Sequence, residues 1–516
     1  MKRTLQAVAT GILLVLSLPP IGIWPMAWVA FVPLMYSLSG AGMKRGFALG
    51  WLSGAVFFLG TVYWVVNSMH NYGGLPIYVS IFVMLLLVAF LSVYPAFFGL
   101  ILGSVRYGRH GLGLAGIVAV PALWVALEYL RGYIFTGFPW VLIGYSQVGN
   151  TTLIQFADLT GVWGVSFIIL AVNTCIFLLL KARVDTGIKR PVNAVLAVLL
   201  MLTMVLAYGF IRVPQVDTEV LEWPGLKVAV VQGGIDQQVK WDKGFQDKTL
   251  DIYGDLSVKA AKEGSELIIW PETAVPFYLG EHNPKEELVA RIVRRAGVHL
   301  LTGAPSYDYD RQTRNVSYFN SAYFFAPDGR TIGRYDKAHL VPYGEYVPLR
   351  RFFPFIKKLT AGVGDFSSGP GAVPIAFKEE GLGVIICYEA IFPKISAAAV
   401  KNGATLLVNL TNDAWFGRSS APYQHFSMSV FRAVENRVFL VRAANTGISA
   451  VVDPVGRVLS ASPLFVEELL VETVGLKRGE VTFYTKYGDI FAYGCLAVSG
   501  FFILLPVIRR EGDINV

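Results

Sequence analysis

The sequence predicts a polytopic α-helical membrane protein, with eight transmembrane helices, that carries one α/β domain. Three observations predict it. Of the 516 residues, 54% are hydrophobic and only 16% charged, with mean hydropathy +0.52. The apolar excess is concentrated in uncharged runs at 5–38, 46–69, 71–105, 111–127, 159–180, 191–211 and 490–508, each close to the ~20 residues a spanning helix needs. Between the last two runs, strand-like and helix-like stretches alternate, as in an α/β domain.

In chain order, the first run is too long for one helix and is broken by Pro19-Pro20, so it divides into two short spans. That gives seven spans within 1–211 and an eighth at 490–508. A cleaved signal peptide is the alternative for the first 20 residues, but no small-x-small cleavage site follows the apolar core. With a cytoplasmic N-terminus, the inside segments hold Lys2, Arg3, Lys44, Arg45, Arg106, Arg109, Lys181, Arg183, Lys189, Arg190, Arg509 and Arg510. The short outside loops hold Arg131 alone, a strong positive-inside asymmetry. The net charge of +8 is thus mostly a topology signal, and no nucleic-acid partner is needed to explain it. The outside stretch 128–158 is aromatic yet broken by Gly and Pro. It reads equally as an interfacial anchor or as a re-entrant segment whose Arg131 meets a lipid phosphate.

From residue 226 the text changes. Strands are expected at 226–231, 267–270, 299–302, 318–325, 331–334, 405–410, 438–443 and 448–452, and a further strand leads into Cys387. Helices are expected at 244–263, 285–296, 389–402 and 422–436. Pro327-Asp328-Gly329-Arg330 is a hairpin turn. The α/β domain spans 226–476. Residues 212–225, with Pro214 and Pro224, and 477–489 read as linkers, and 509–516 as a cytoplasmic tail.

Gly383-Val384-Ile385-Ile386-Cys387 is a short apolar run ending in a cysteine. A thiol at a strand end that feeds a helix sits where backbone N–H groups favour a thiolate. The other two cysteines, Cys175 and Cys495, fall inside predicted spans, so Cys387 has no disulfide partner in the exported domain. A lone thiol facing an oxidising compartment is a liability unless it is used. Thiolate chemistry needs a base, a cation for the oxyanion and a proton donor. Glu272, in Trp270-Pro271-Glu272, follows a strand, where partial burial would raise its pKa. Lys337 lies just past a hairpin strand, and Glu345 could orient it or share the base role. A Cys–His arrangement with His339 or His425 as base remains the competitor. There is no metal-ligand spacing, P-loop or dinucleotide fingerprint, so no cofactor and no metal are expected.

Trp270-Pro271-Glu272, the stretch Asp336-Lys337-Ala338-His339-Leu340-Val341-Pro342-Tyr343-Gly344-Glu345, and Ile386-Cys387-Tyr388-Glu389 resemble the three signatures of the nitrilase (carbon–nitrogen hydrolase) superfamily. With spans on both sides of that domain, the whole chain resembles the apolipoprotein N-acyltransferase family of bacterial envelopes. The resemblance extends to Val231-Gln232-Gly233, Lys240-Trp241-Asp242, Thr136-Gly137-Phe138-Pro139-Trp140 and Asn412-Asp413-Ala414-Trp415-Phe416-Gly417. It implies an α-β-β-α sandwich on the periplasmic face of the inner membrane. It also implies Glu272 as base, Cys387 as nucleophile and Lys337 as oxyanion cation. Tyr388 would complete the oxyanion site through its N–H, Glu345 and Glu389 would support lysine and substrate amine, and Trp241 and Trp415 would flank the mouth. A phospholipid acyl donor, a diacylated lipoprotein acceptor and a monomer are expected. A membrane-tethered amidase and a catalytically inactive lipoprotein-binding scaffold are the rivals; the first would not need eight spans, and the second has no use for a lone reactive thiol.

Overall fold

The computed structural model describes residues 1–104, 113–184, 191–280, 285–310, 312–347 and 365–512. Arg106, Arg109, Lys189 and Arg190 of the charge asymmetry lie outside the described residues. The chain divides into two compact units. One comprises Met1–Tyr63, Ile81–Val213 and Tyr487–Val516, the other Trp64–Ser80 and Pro214–Lys486.

The first unit is helical. Among the described residues, 5 helices are long and apolar enough to cross a membrane: Met43–Val62, Ile77–Ser104, Gly113–Tyr133, Val162–Val184 and Val192–Leu221. Trp24–Leu38 and Ile490–Leu504 are shorter apolar stretches. The first helix, Lys2–Ser17, stops just before Pro19-Pro20, as the missing proline N–H requires. Helix Met43–Val62 packs against Val93–Ser104 through facing Gly-x-x-x-Gly pairs, Gly46/Gly50 and Gly99/Gly103. A Cβ on Gly46 would lie 2.2 Å from the Gly99 carbonyl oxygen, so backbone-to-backbone packing depends on these hydrogens.

Three expectations are corrected. Residues 212–225 are not a linker: helix Val192–Leu221 runs through Pro214, and the first strand begins at Gly225. Nor does an outside loop begin at Glu128. The helix continues to Tyr133 and takes Glu128 and Arg131 inward, at 3% and 4% exposure. The Arg131 guanidinium donates to the carbonyls of Trp140 (2.7 Å) and Phe138 (3.2 Å) and lies over the Phe58 ring. It therefore clamps the Thr136–Trp140 turn and is not presented to a lipid phosphate. In an apolar setting, turn carbonyls must find a donor within the protein, and Arg131 supplies it.

The second unit is a two-sheet sandwich. Its strands are β1 (Gly225–Gln232), β2 (Leu267–Ile269), β3 (His299–Asp310), β4 (Asn315–Phe325), β5 (Thr331–Asp336) and β6 (Ile375–Phe377). They continue with β7 (Glu380–Ile386), β8 (Leu406–Thr411), β9 (Leu440–Ala444), β10 (Ala450–Val452), β11 (Val458–Ala461) and β12 (Glu468–Gly475). The sheets run β12-β1-β2-β3-β4-β5 and β11-β10-β9-β8-β7-β6. In each, three central strands are parallel: β1-β2-β3 and β7-β8-β9. Both faces of β1 are buried. Val228 and Val230 pack with Val384, Val408 and Val441 between the sheets, while Ala229 and Val231 join Tyr253, Val289 and Val293 under the helices. Helices Lys243–Lys262 and Glu286–Ala296 cover the first sheet, and Pro393–Lys401 and Ala421–Asn436 the second. Strands buried on both faces read as continuous apolar runs, which is why these were visible in the sequence. The helix expected over 389–402 begins only at Pro393, after a 3-10 turn at Cys387–Ile391.

Candidate active site

The candidate residues come together because each follows the C-terminal end of a strand. Glu272 follows β2, Lys337 follows β5, Cys387 follows β7, and Asn412-Asp413 follow β8. Glu272, Lys337, Cys387 and Glu389 are all buried, none more than 8% exposed. The Lys337 ammonium is 2.9 Å from Glu345 Oε1 and 3.8 Å from Glu272 Oε1. The Asn320 side-chain amide, on β4, donates to both carboxylates, 2.7 Å to Glu272 and 2.9 Å to Glu345. Glu272 Oε2 accepts the Asn412 N–H at 2.8 Å, and Glu345 Oε2 the Val341 N–H at 2.8 Å. The loop bearing Glu272 presses on β3 so closely that a Cβ on Gly303 would lie 2.6 Å from the Glu272 Cα. Three non-glycine residues here have left-handed backbones: Thr273 (φ 49), Tyr343 (φ 61) and Cys387 (φ 49). Such outliers persist where the surroundings over-determine them.

Electrostatics follow from the burial. Burial pushes the Glu272 carboxyl up, and Lys337 only partly offsets it. Burial pulls Lys337 down, but Glu345 and Glu272 outweigh it, so the ammonium is held charged well above its usual range. The Cys387 thiol is pushed up by burial and then by the negative charge of Glu272, against Lys337. This corrects the expectation of a resting thiolate: the strand end feeds a 3-10 turn among buried side chains, and two carboxylates surround one ammonium. Moving the thiol proton onto Glu272 leaves the net charge of the cluster unchanged, whereas losing it to solvent would add a buried negative charge.

Glu389 is fully buried. Oε1 accepts from the N–H groups of Ala338 (2.7 Å) and His339 (3.0 Å) and from Tyr335 Oη (3.0 Å); Oε2 accepts from the Ile386 N–H (2.7 Å). It ties the Lys337 loop to the Cys387 turn and is bonded to backbone. It is not open to a substrate amine, as the sequence reading had it. Tyr388 packs its ring against Phe392 at 5.1 Å and His339 at 5.9 Å. The Trp415 carbonyl accepts from Asn67 (2.9 Å) and Ser68 (2.8 Å), and its ring meets Tyr72 at 5.4 Å. Trp241 is 40% exposed.

Neither histidine is placed as the base. The His425 Nε2 is 3.1 Å from the Cys387 carbonyl oxygen, and the His339 ring packs tilted against Phe392 at 4.0 Å. Sequence reasoning missed Asn320 altogether; a polar residue in a strand carries no local sign of bridging two carboxylates. It quoted Lys240 only within Lys240-Trp241-Asp242 and gave it no role; the residue is 1% exposed, and its Nζ donates to Thr273 Oγ1 at 2.9 Å beside the Glu272 carbonyl. Burial lowers Lys240 to about 7. Among the described residues, no group of three or more His, Cys, Asp or Glu could hold a metal ion.

Two facing six-stranded sheets with a Glu, a Lys and a Cys at strand ends place the second unit in the carbon–nitrogen hydrolase class. The profile of that name, Carbon-nitrogen hydrolase, matches residues 227–482, and the profile Apolipoprotein N-acyltransferase N-terminal domain matches 10–175. The chain is 44% identical to an Apolipoprotein N-acyltransferase of Geobacter metallireducens over 98% of this chain and 96% of that one. It is 32% identical to that of Chlorobaculum tepidum (97% and 96%) and 34% identical to that of Methylococcus capsulatus (97% and 95%). The chain belongs to the apolipoprotein N-acyltransferase family, and so to the acyltransferase class of enzymes.

Proposed function

We propose that this protein transfers an acyl chain from a membrane phospholipid, through a thioester on Cys387, to the α-amine of the N-terminal diacylglyceryl-cysteine of a lipoprotein. We assign the catalytic domain, residues 226–476, to the periplasmic face of a bacterial inner membrane, held by eight spans. The observation that carries the reading is the Glu272–Lys337–Glu345 cluster beside a buried thiol, in a chain of this family.

In the first half-reaction, Glu272 takes the thiol proton as Sγ attacks the ester carbonyl. Burial raises the Glu272 carboxyl, so it is a stronger base than a solvated one. The developing oxyanion is met by the Lys337 ammonium, fixed by Glu345, and by the Tyr388 N–H. A compact charge held in place needs no reorganisation in the transition state. Collapse breaks the C–O bond, Glu272 returns its proton to the lysophospholipid oxygen, and the acyl chain stays on sulfur. In the second half-reaction a neutral amine attacks the thioester, Glu272 takes a proton from nitrogen, and Cys387 leaves as a thiolate to which Glu272 returns that proton. Trp241 and Trp415 flank the entrance for the apolar chains.

The test is intact-protein mass after incubation with phospholipid vesicles. One added acyl group, removed by neutral hydroxylamine and passed to a diacylated lipopeptide, is expected. Cys387→Ser should show none, while Cys175→Ser and Cys495→Ser should keep it. A hydroxylamine-sensitive acyl group on Cys387→Ser, or release of free fatty acid without transfer to the lipopeptide, refutes the reading.

A further inference from the structure

Besides Glu272 and Lys337, a second buried cluster reaches Cys387, and it does so through the backbone. Asp413, His425 and Arg442 are each at most 1% exposed. Asp413 Oδ2 accepts from Arg442 Nη2 at 2.8 Å, and Asp413 Oδ1 accepts the Thr411 hydroxyl at 3.0 Å. Arg442 also donates to Ser429 Oγ (3.0 Å), to the Ile448 carbonyl (3.1 Å) and to Asn409 Oδ1. His425 stands between this cluster and the nucleophile. Its Nδ1 faces Asp413 Oδ1 at 3.0 Å and Arg442 Nη2 at 3.1 Å, while Nε2 is 3.1 Å from the Cys387 carbonyl oxygen. A carbonyl only accepts, so Nε2 carries the hydrogen. Burial and then the Arg442 charge push the imidazole below its usual range, more than Asp413 lifts it.

We infer that His425 is a positioning residue: its Nε2–H holds the Cys387 carbonyl and thereby fixes the nucleophile's left-handed backbone. The inference rests on Cys387 being the nucleophile. Cys387 has φ 49, a conformation that a residue with a Cβ adopts only under constraint. One constraint is Glu389 on the preceding Ile386 N–H; His425 on the Cys387 carbonyl is another. The same turn that carries Asp413 also carries Asn412, whose N–H fixes Glu272 Oε2. Base and nucleophile are thus referred to one dipeptide, which keeps their separation constant while a bulky acyl ester enters.

The experiment compares His425→Gln with His425→Asn in the full-length protein, reconstituted with phospholipid vesicles. A glutamine amide can reach the place of Nε2 and still donate to Cys387. An asparagine amide stops at the place of Nδ1, keeping the contact with the Asp413 cluster but not the carbonyl. Neither has a titratable ring. Thioester formation by His425→Gln should stay within about 10-fold of the natural protein, whereas His425→Asn should lose about 10²-fold, the scale expected for a misplaced reacting group. The dependence on phospholipid concentration should be unchanged in both, and melting temperatures will show that both are folded. Equal rates for the two variants, or a His425→Gln slower than His425→Asn, overturn the inference. If His425→Asn does not accumulate as folded protein, His425→Gln decides alone: a loss beyond about 10-fold means the ring itself is needed. Cys387→Ala serves as the control, because acylation of that variant would overturn the nucleophile assignment instead.

Discussion

Glu389→Gln tests the idea that the two halves of the site are tied through one carboxylate. The substitution keeps shape and removes one acceptor. The carboxylate now accepts from Ala338, His339 and Ile386 N–H groups and from Tyr335 Oη. In the amide, the cheaper orientation keeps oxygen toward Ala338 and His339 and turns the NH₂ toward the Ile386 N–H, donor against donor. The Ile386 N–H is then buried without a partner, which costs about 1–3 kcal/mol, and the remaining bonds lose their charge assistance. Against this, burial holds the carboxyl above its usual range despite the bond from Ile386, so removing the charge returns part of the loss. We expect a net destabilisation of about 2–3 kcal/mol, a large share of the ~5–15 kcal/mol that holds a domain folded. Because Ile386 directly precedes Cys387, thioester formation should fall by about 10²-fold. The assay pairs thermal unfolding with the rate of acyl-enzyme formation on phospholipid vesicles. An unchanged melting temperature with a rate within threefold would mean that Glu389 is protonated in the folded protein, and the reasoning from its donors would be wrong.

Glu272→Gln should lower acyl-enzyme formation by about 10²–10⁴-fold, the usual loss for a general base, measured by the same mass assay. Lys337→Arg should fail as well, because the planar guanidinium cannot occupy the place of an ammonium 2.9 Å from Glu345; near-normal turnover would show the lysine to be structural. Acid stability should report Asp413. Burial pushes its carboxyl up, but Arg442 and His425 outweigh it and hold it at about 2. A depressed folded pKa means stabilisation fully present above the ordinary value near ~4 and lost as pH falls toward that lower value. Melting temperature measured across this window should drop for the natural protein and vary less for Asp413→Asn, which starts lower at neutral pH.

What the sequence by itself determined is whatever is written in contiguous residues. Uncharged runs announced long apolar helices, because spanning length and composition are local properties. The double-sided apolar runs of β1, β2, β7 and β8 announced a buried sheet, and the short motifs at their ends marked Glu272, Lys337 and Cys387 as chemically able residues. Edge strands β6, β11 and β12 escaped notice, since partly exposed strands such as Glu468–Gly475 lack a clean pattern and exist only through pairing with a distant partner, here β1. Helix Val192–Leu221 ran through Pro214 because the helix already formed outweighed the loss of one N–H. Only tertiary structure decided what the charges do. Arg131 looked free to meet a phosphate and instead serves two carbonyls of its own turn. His425, a plausible base in the sequence, is spent on the Cys387 carbonyl, and Asn320 became the bridge between two carboxylates. The pKa of a buried group depends on which charges lie within a few ångströms, and here those neighbours are brought together from strand ends far apart in sequence; that is why the thiol could be read as reactive but not as protonated at rest.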